Sequence, residues 1–264
     1  KAVSLVLAAG IVGGVFGPTM ASFTREMTET PFVGAYLALA LVAAIGALVM
    51  SAIRFPEVVV NKAPGGAGRP MREIMAQPVF IVATMSAALS YGVMNLLMAA
   101  TPLAMQTCGM PFSQTAFVLE WHIIGMFAPG FFTGHLIKRF GALPIMAVGV
   151  LLNLVCVAVA LSGTDLTQFI VALFTLGVGW NFVFTGSTTL SLQAYEPAEK
   201  DRAQGAINFF VFATMALTSF ASGALVTTQG WNLLNLGSLL PIAVMGVGIY
   251  WLWRRPVPAA SPAP

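Results

Sequence analysis

The chain has 264 residues, of which 58% are hydrophobic and 8% charged, with a formal net charge of +3 and a mean hydropathy of +0.88. A soluble domain carries about 25% charged residues, and one of this length has too small an interior to hide so much apolar surface, so composition excludes an ordinary soluble globule. The weak positive charge does not indicate nucleic acid, because the basic residues stand in short segments between apolar runs, where they read as topology signals.

A membrane-spanning helix needs roughly 20 mostly apolar residues. Eight runs qualify, at 2–23, 32–53, 79–104, 114–136, 143–162, 167–191, 204–226 and 233–253. They are continuous rather than alternating, which favours helices over barrel strands. The expected fold class is all-α, a polytopic membrane protein with eight transmembrane helices. The first run follows Lys1 as a secretory leader would. It is broken by Gly10, Gly13, Gly14, Gly17 and Pro18, and no small-x-small cleavage site follows, so it reads as a transmembrane helix at the start of a truncated chain.

Placing Lys1 in the cytoplasm and alternating sides tests the helix count. Lys1, Arg54, Lys62, Arg69, Arg72, Lys138, Arg139, Lys200, Arg202, Arg254 and Arg255 then fall inside, and only Arg25 outside. Losing one helix would scramble that sorting. Trp231 is expected at the outer interface, and Tyr250, Trp251 and Trp253 at the inner one. The longest gap, 55–77, contains Pro64-Gly65-Gly66-Ala67-Gly68 and reads as a flexible cytoplasmic linker. The chain thus divides into two helices at 1–54, the linker at 55–77, six helices at 78–255, and a Pro/Ala-rich tail at 256–264 expected to be disordered. Cys108 and Cys156 are expected at different depths, so no disulfide is anticipated. No CxxC or HExxH metal spacing occurs.

The stretch 113–141 carries the chemistry. It holds Glu120 and His122 inside an apolar run, and intramembrane ionisable groups are functional candidates by default. Residues two apart on a helix are about 200° apart, so the two cannot face one cavity together. His122 shares a stripe with Thr115 and Thr133 near Pro129, as expected beside a water-filled path. Glu120 shares its face with Ala116, Ile124, Phe127 and Phe131. Either group could carry protons, because burial raises a carboxyl pKa and lowers a histidine pKa toward working pH. The plain alternatives are a structural pairing for Glu120 and a satisfied buried histidine. On the next helices, Thr84, Tyr91, Asn95 and Pro102 lie on one face, as do Gly177, Asn181, Thr185 and Thr188 with Trp180 adjacent, and Gln204, Asn208, Ser219 and Ser222 form a further stripe. Such neutral polar groups suit a polar or amphipathic solute, or else interhelical hydrogen bonds. The spacings Gly10/Gly14, Gly13/Gly17 and Gly130/Gly134 suit close helix packing. His135 reads as a solvated helix-end residue, and the charged run 196–202 as a structural loop.

Four motifs point to a family. The turn 134–141, with Gly134, Leu136, Arg139 and Gly141, resembles the loop signature Gly-x-Leu-Ala-Asp-Arg-x-Gly-Arg-Arg of the major facilitator superfamily. Lys138 replaces its acidic residue, and Ala142 and Leu143 its closing basic pair. Gly13-Gly14-Val15-Phe16-Gly17-Pro18 resembles that family's fifth-helix antiporter motif, without the following glycine pair. Leu176-Gly177-Val178-Gly179-Trp180-Asn181-Phe182 and Arg202-Ala203-Gln204-Gly205 resemble an uncharacterised bacterial branch. A long linker before six helices is similar to the superfamily's second half.

The resemblance implies helices five to twelve of twelve, the first four being absent from this chain, in a cytoplasmic (inner) membrane with both chain ends cytoplasmic. It implies secondary active transport of a small solute by alternating access between two bundles, as symporter or antiporter. Proton coupling is preferred to ATP, because no Walker-type loop is present. The expected proton-coupling residues are Glu120 and His122. The expected substrate-binding residues are Tyr91, Asn95, His122, Trp180, Asn181, Thr185 and Asn208. In the branch an acidic residue often takes the place of Asn208, so coupling would move elsewhere. The implied partners are the lipid bilayer, a small-molecule substrate, protons and the missing N-terminal helices, with no nucleic acid, cofactor or metal. A membrane-embedded enzyme lacks the clustered ionisable groups it would need. A transport-inactive scaffold or assembly protein is the standing alternative.

Overall fold

The computed structural model describes the backbone of residues 2–54 and 68–255, with side chains from residue 8 onward. The expected tail 256–264 and the linker residues 55–67 lie outside the described residues. No strand occurs among the described residues. The helices are α1 (Ala2–Thr24), α2 (Val33–Ala52), α3 (Met71–Ala76), α4 (Pro78–Thr107), α5 (Phe112–Phe127), α6 (Gly130–Phe140), α7 (Ala142–Ser162), α8 (Leu166–Ser191) and α9 (Lys200–Trp253).

Local chemistry sets several of these boundaries. Pro78 opens α4, where its missing N–H is no loss. Pro129 separates α5 from α6, because proline cannot return a hydrogen bond to the preceding turn. Gly141 ends α6 with φ +90°, and its N–H donates to the Ile137 carbonyl at 2.8 Å. A left-side φ of that size suits a residue without Cβ. α9 has 54 residues. Straight, it would run about 81 Å, against a hydrocarbon core of about 30 Å. Gly230, at φ 80° and ψ 172°, breaks it into arms 200–229 and 231–253.

Six helical stretches are long and apolar enough to cross a membrane, 197–253 among them, and a shorter apolar helix covers Ala8–Thr24. These stretches agree with the expected polytopic all-α class; the expected count of eight would need the shorter helix and each arm of α9 to cross separately. Two details are added at the helix ends. The gap anticipated at 227–232 is helical on both sides of Gly230 rather than a loop. Trp231 is buried, with its Nε1–H donating to the Ala160 carbonyl at 3.2 Å, because the break carries it inward against α7. Tyr250, Trp251 and Trp253 are exposed, and the Arg254 and Arg255 guanidinium groups stack over Tyr250 and Trp251. Cys108 and Cys156 are unpaired, the first exposed and the second buried.

α4, α7, α8 and α9 make the core, with Leu97, Met146, Leu173, Leu176, Ile242 and Met245 fully buried. Glycines let the helix backbones approach. A Cβ on Gly177 would lie 2.5 Å from the His122 carbonyl, one on Gly125 2.6 Å from the Phe174 carbonyl, and one on Gly149 2.7 Å from the Gly179 carbonyl. α1 packs on α5 through Gly10 against Phe127 and Gly14 against Ile123. At Gly13, Gly17 and Gly134 an added Cβ would meet nothing within 4 Å. Among the described residues α2 packs only on α1, and Gly34 is its single buried residue.

The end of the expected linker is ordered. α3 lies there, and Arg69 reaches Glu199, 130 positions further along the chain. The Arg69 Nε and Nη2 donate to Glu199 Oε1 and Oε2 at 2.9 and 2.6 Å, and the Arg69 backbone N–H donates to Oε1 at 2.7 Å. The Glu196 N–H donates to Oε2 at 2.9 Å. The Arg69 guanidinium, and then the Glu196 N–H, hold the Glu199 carboxyl down at about 2. The same pairing raises the Arg69 guanidinium above its already high ordinary value. The charged run 196–202 is thus a fastening point between 68–77 and the start of α9, in keeping with a structural loop.

Candidate solute path and proton site

Glu120 and His122 leave α5 in different directions, as their helical spacing requires. Glu120 is half-buried and faces α1, where the Thr19 hydroxyl donates to its Oε1 at 2.6 Å. His122 is fully buried against α8, with Nδ1 2.7 Å from the Leu173 carbonyl. A carbonyl only accepts, so Nδ1 carries the hydrogen and Nε2 is left with its lone pair. Nε2 is buried and has no partner among the described residues. Thr115 and Thr133, its stripe-mates, are buried too. His122 makes its polar contact with α8, and the Thr133 hydroxyl meets both Asn181 on α8 and the Pro129 carbonyl, at 2.7 Å each.

Asn181 on α8 clasps the α5–α6 break. Its Nδ2 donates to the Met126 carbonyl at 2.7 Å, and its Oδ1 lies 2.7 Å from the Thr133 hydroxyl. Pro129 disrupts the helical ladder at this point, so a neighbouring amide supplies what the backbone lacks. Asn95 performs a similar task between α4 and α9, donating from Nδ2 to the Met215 carbonyl and Thr218 Oγ1, each at 3.1 Å. Gly92, one turn away, lets Thr214 come close.

Between α4 and α8 three rings form a nearly equilateral cluster. Trp180 stacks on Phe184 with centroids 5.1 Å apart at 9°, and Tyr91 stands edge-on to both, at 5.2 Å from Trp180 and 5.4 Å from Phe184. Met94 and Met126 pack beside Trp180. Tyr91 and Phe184 are half-buried, whereas Trp180 is buried with an unpartnered Nε1–H. The half-buried rings of Tyr91 and Phe184 are the accessible faces of the cluster, and such faces suit a planar heteroaromatic ring better than an ion.

Thr185, the residue after Phe184, is half-buried. Asn208 is exposed and lines a small hollow of about 170 Å³ with Thr188, Ser191, Gln204 and Ile207. In the turn after α6, Gly134 and Arg139 are exposed, Leu136 is half-buried, Gly141 supplies the cap, and the Arg139 guanidinium lies over Phe140 at 5.2 Å. Thr19 and Phe184 do not stand out in the sequence as site residues. Phe184 follows Trp180 at one helical turn and was findable by spacing. Thr19 gave no signal, since its pairing with Glu120 spans 101 positions.

No group of three or more potential metal ligands occurs among the described residues. Long apolar helices closely packed through glycines, with polar side chains fastening interfaces inside the bundle, mark an integral membrane protein. The family model of the Major Facilitator Superfamily matches residues 83–264. Riboflavin transporter RfnT of Brucella anthropi is 36% identical over 267 residues, covering 100% of this chain and 66% of that protein. Two uncharacterized MFS-type transporters of Bacillus subtilis also match. YddS is 30% identical over 166 residues, 62% of this chain and 38% of its own length, and YdeG is 25% identical over 271 residues, 96% of this chain and 62% of its own. The chain belongs to the Major Facilitator Superfamily, a family of membrane transporters rather than enzymes. It spans about two thirds or less of the length of these relatives.

Proposed function

We propose that this chain forms part of a secondary active transporter that carries a flavin-like solute, with riboflavin the first candidate, by alternating access. The carrying observation is the cluster of Tyr91, Trp180 and Phe184 in a chain matched along its whole length by a riboflavin transporter. In this reading Tyr91 and Trp180 present the ring surface, Thr185 lies beside it, and Asn208 lines the path toward the cytoplasm. Asn95 and Asn181 hold the frame, because their amides are committed between helices. The solute site is completed by helices of a first bundle, to which 1–54 belong as the last pair, while 78–255 form the second. The Lys/Arg sorting supports cytoplasmic chain ends and an inner-membrane setting.

Coupling to protons is assigned to Glu120 and His122. Glu120 protonation weakens its charge-assisted hydrogen bond to Thr19 on α1, and so links proton binding to an α1–α5 contact that lies between the proposed bundles. His122 offers Nε2 as an acceptor, its tautomer held by Leu173.

Riboflavin flux in proteoliposomes, with the protein at full natural length and a pH gradient of either sign, tests this reading. Gradient-driven flux that becomes gradient-independent in Glu120→Gln supports it. Gradient-driven flux unchanged in Glu120→Gln and His122→Ala removes the proton assignment and keeps the transporter. Absence of flux for riboflavin and a wider solute panel favours the scaffold reading.

A further inference from the structure

The hairpin between α1 and α2 closes over a second hollow, away from the aromatic cluster. It measures about 420 Å³ and is lined by Arg25, Phe32, Gln106, Phe112 and Thr115, with Pro102, Leu103, Met110 and Pro111 completing the wall. That volume falls in the range of pockets for small organic ligands, about 300–1,000 Å³. Arg25 is the single cation that sequence topology sets on the face opposite the others.

Three features make the hollow more than a gap between loops. First, the Arg25 guanidinium lies 5.3 Å from the Phe32 ring centroid and 5.0 Å from that of Phe112, and these rings meet edge to face at 5.4 Å. Second, Arg25 Nε is buried and has no acceptor among the described residues. Its ion pair, Nη2 to Glu26 at 3.3 Å, uses a carboxylate whose side chain is 77% exposed. Such a surface pair yields readily to a better acceptor. Third, Phe32 is the only non-glycine residue with a positive φ among the described residues, at 69°. That backbone is sparsely populated for a bulky side chain, and the hairpin holds it by the Phe32 N–H donating to the Arg25 carbonyl at 2.8 Å.

We propose that this hollow is a docking site, separate from the aromatic cluster, for a planar heteroaromatic solute bearing carbonyl acceptors. The chemistry is complementary in two directions. The ring of the solute packs against Phe32 and Phe112 at the edge of the guanidinium, which already lies over both rings. Its carbonyls accept from the outer Nη–H groups, two donors in one plane that lysine cannot imitate, while the buried Nε–H lies behind them. The Gln106 amide and Thr115 hydroxyl line the same wall and provide further polar partners. By the charge sorting the site lies at the outer mouth, where it holds solute before the path between bundles. This assignment rests on the flavin reading above.

Riboflavin is the probe, added to the full-length protein in nanodiscs. Binding is followed by quenching of flavin fluorescence, and Arg25 by its modification with phenylglyoxal. The expected result is that riboflavin shields Arg25 from the reagent. Arg25→Lys and Arg25→Gln weaken binding about tenfold, and Phe112→Leu weakens it less. The Arg25 side chain is partly exposed, so both replacements are compatible with folding, and their unfolding temperatures are compared with wild type. Wild-type affinity in Arg25→Lys, or unshielded Arg25 at saturating riboflavin, overturns the docking site while leaving the flavin reading intact. Failure of the wild type to bind riboflavin overturns both.

Discussion

α2 and α8 are made of similar apolar material and end in opposite surroundings. α2 buries one residue, Gly34, and leaves Leu37, Leu41, Ile45 and Leu48 exposed. α8 buries Leu173, Leu176, Gly177, Gly179, Trp180, Asn181, Gly186 and Ser187. The chain spans about two thirds of the length of its relative, so the open face of α2 is a property of this chain, and what can be compared is what interrupts each apolar run. Lipid tails are as apolar as leucine, so apolar side chains alone do not draw helices together in a membrane. Small residues do so by admitting a neighbouring backbone, and polar residues by needing a partner. α8 has both at its contact faces. α2 has two glycines, and Gly46 faces open space.

The comparison is broken most directly at the glycines. Gly177→Leu adds a side chain where the His122 carbonyl stands 2.5 Å from the first added atom. Backbone cannot swing aside as a side chain can, so the expected cost exceeds the about 1–3 kcal/mol of ordinary overpacking, and the bundle does not assemble. Gly46→Leu on α2 is expected to change stability by no more than about 0.5 kcal/mol. Unfolding of both variants in a detergent titration checks the contrast, and equal effects would refute it.

A polar substitution sharpens it. Asn181→Leu strands the Met126 carbonyl inside the bundle, while the Thr133 hydroxyl keeps its bond to the Pro129 carbonyl. Leaving such groups unpaired costs about 1–3 kcal/mol. Amide exchange at 126–133 is expected to quicken in that variant. Unchanged exchange there would mean that the α5–α6 break does not depend on the clasp.

The smallest effect concerns the fastening outside the apolar helices. The Glu199 carboxyl titrates at about 2 in the fold, against an ordinary 4.5. A lowered carboxyl pKa contributes stability above the ordinary value and loses it as pH falls through the folded one. Segment 68–77 is therefore expected to stay docked at neutral pH and to loosen as pH drops from 4.5 toward 2. Glu199→Gln should loosen it already at neutral pH. Hydrogen exchange of 68–77, corrected for intrinsic rates, reads both, and global unfolding should move little.

The candidate residues were legible to different degrees. The opposed directions of Glu120 and His122 follow from the helical angle between them, and both turned out to face protein, α1 and α8 respectively. Tyr91 and Trp180 were visible as aromatic groups on polar stripes. Their meeting with Phe184 was not, because the α4–α8 contact joins segments about 90 positions apart. Asn95 and Asn181 looked alike as stripe amides with a solute role. Their actual partners are a carbonyl and hydroxyl on α9 and the broken turn beside Pro129. A periodic stripe tells which residues share a face. It does not tell whether that face meets water or another helix.

The sequence alone determined the membrane class and the helical state. Those depend on properties local to each run, namely apolar length against bilayer thickness and the sorting of lysine and arginine between runs. Tertiary structure alone decided which polar groups stay free. Arg69 became bound to Glu199, Asn181 to Met126, and Glu120 to Thr19, while His122 Nε2, Trp180 Nε1 and Arg25 Nε kept no partner among the described residues. The reason is physical. A hydrogen bond needs its two atoms within about 3 Å, and for these side chains that distance is set by how whole helices cross.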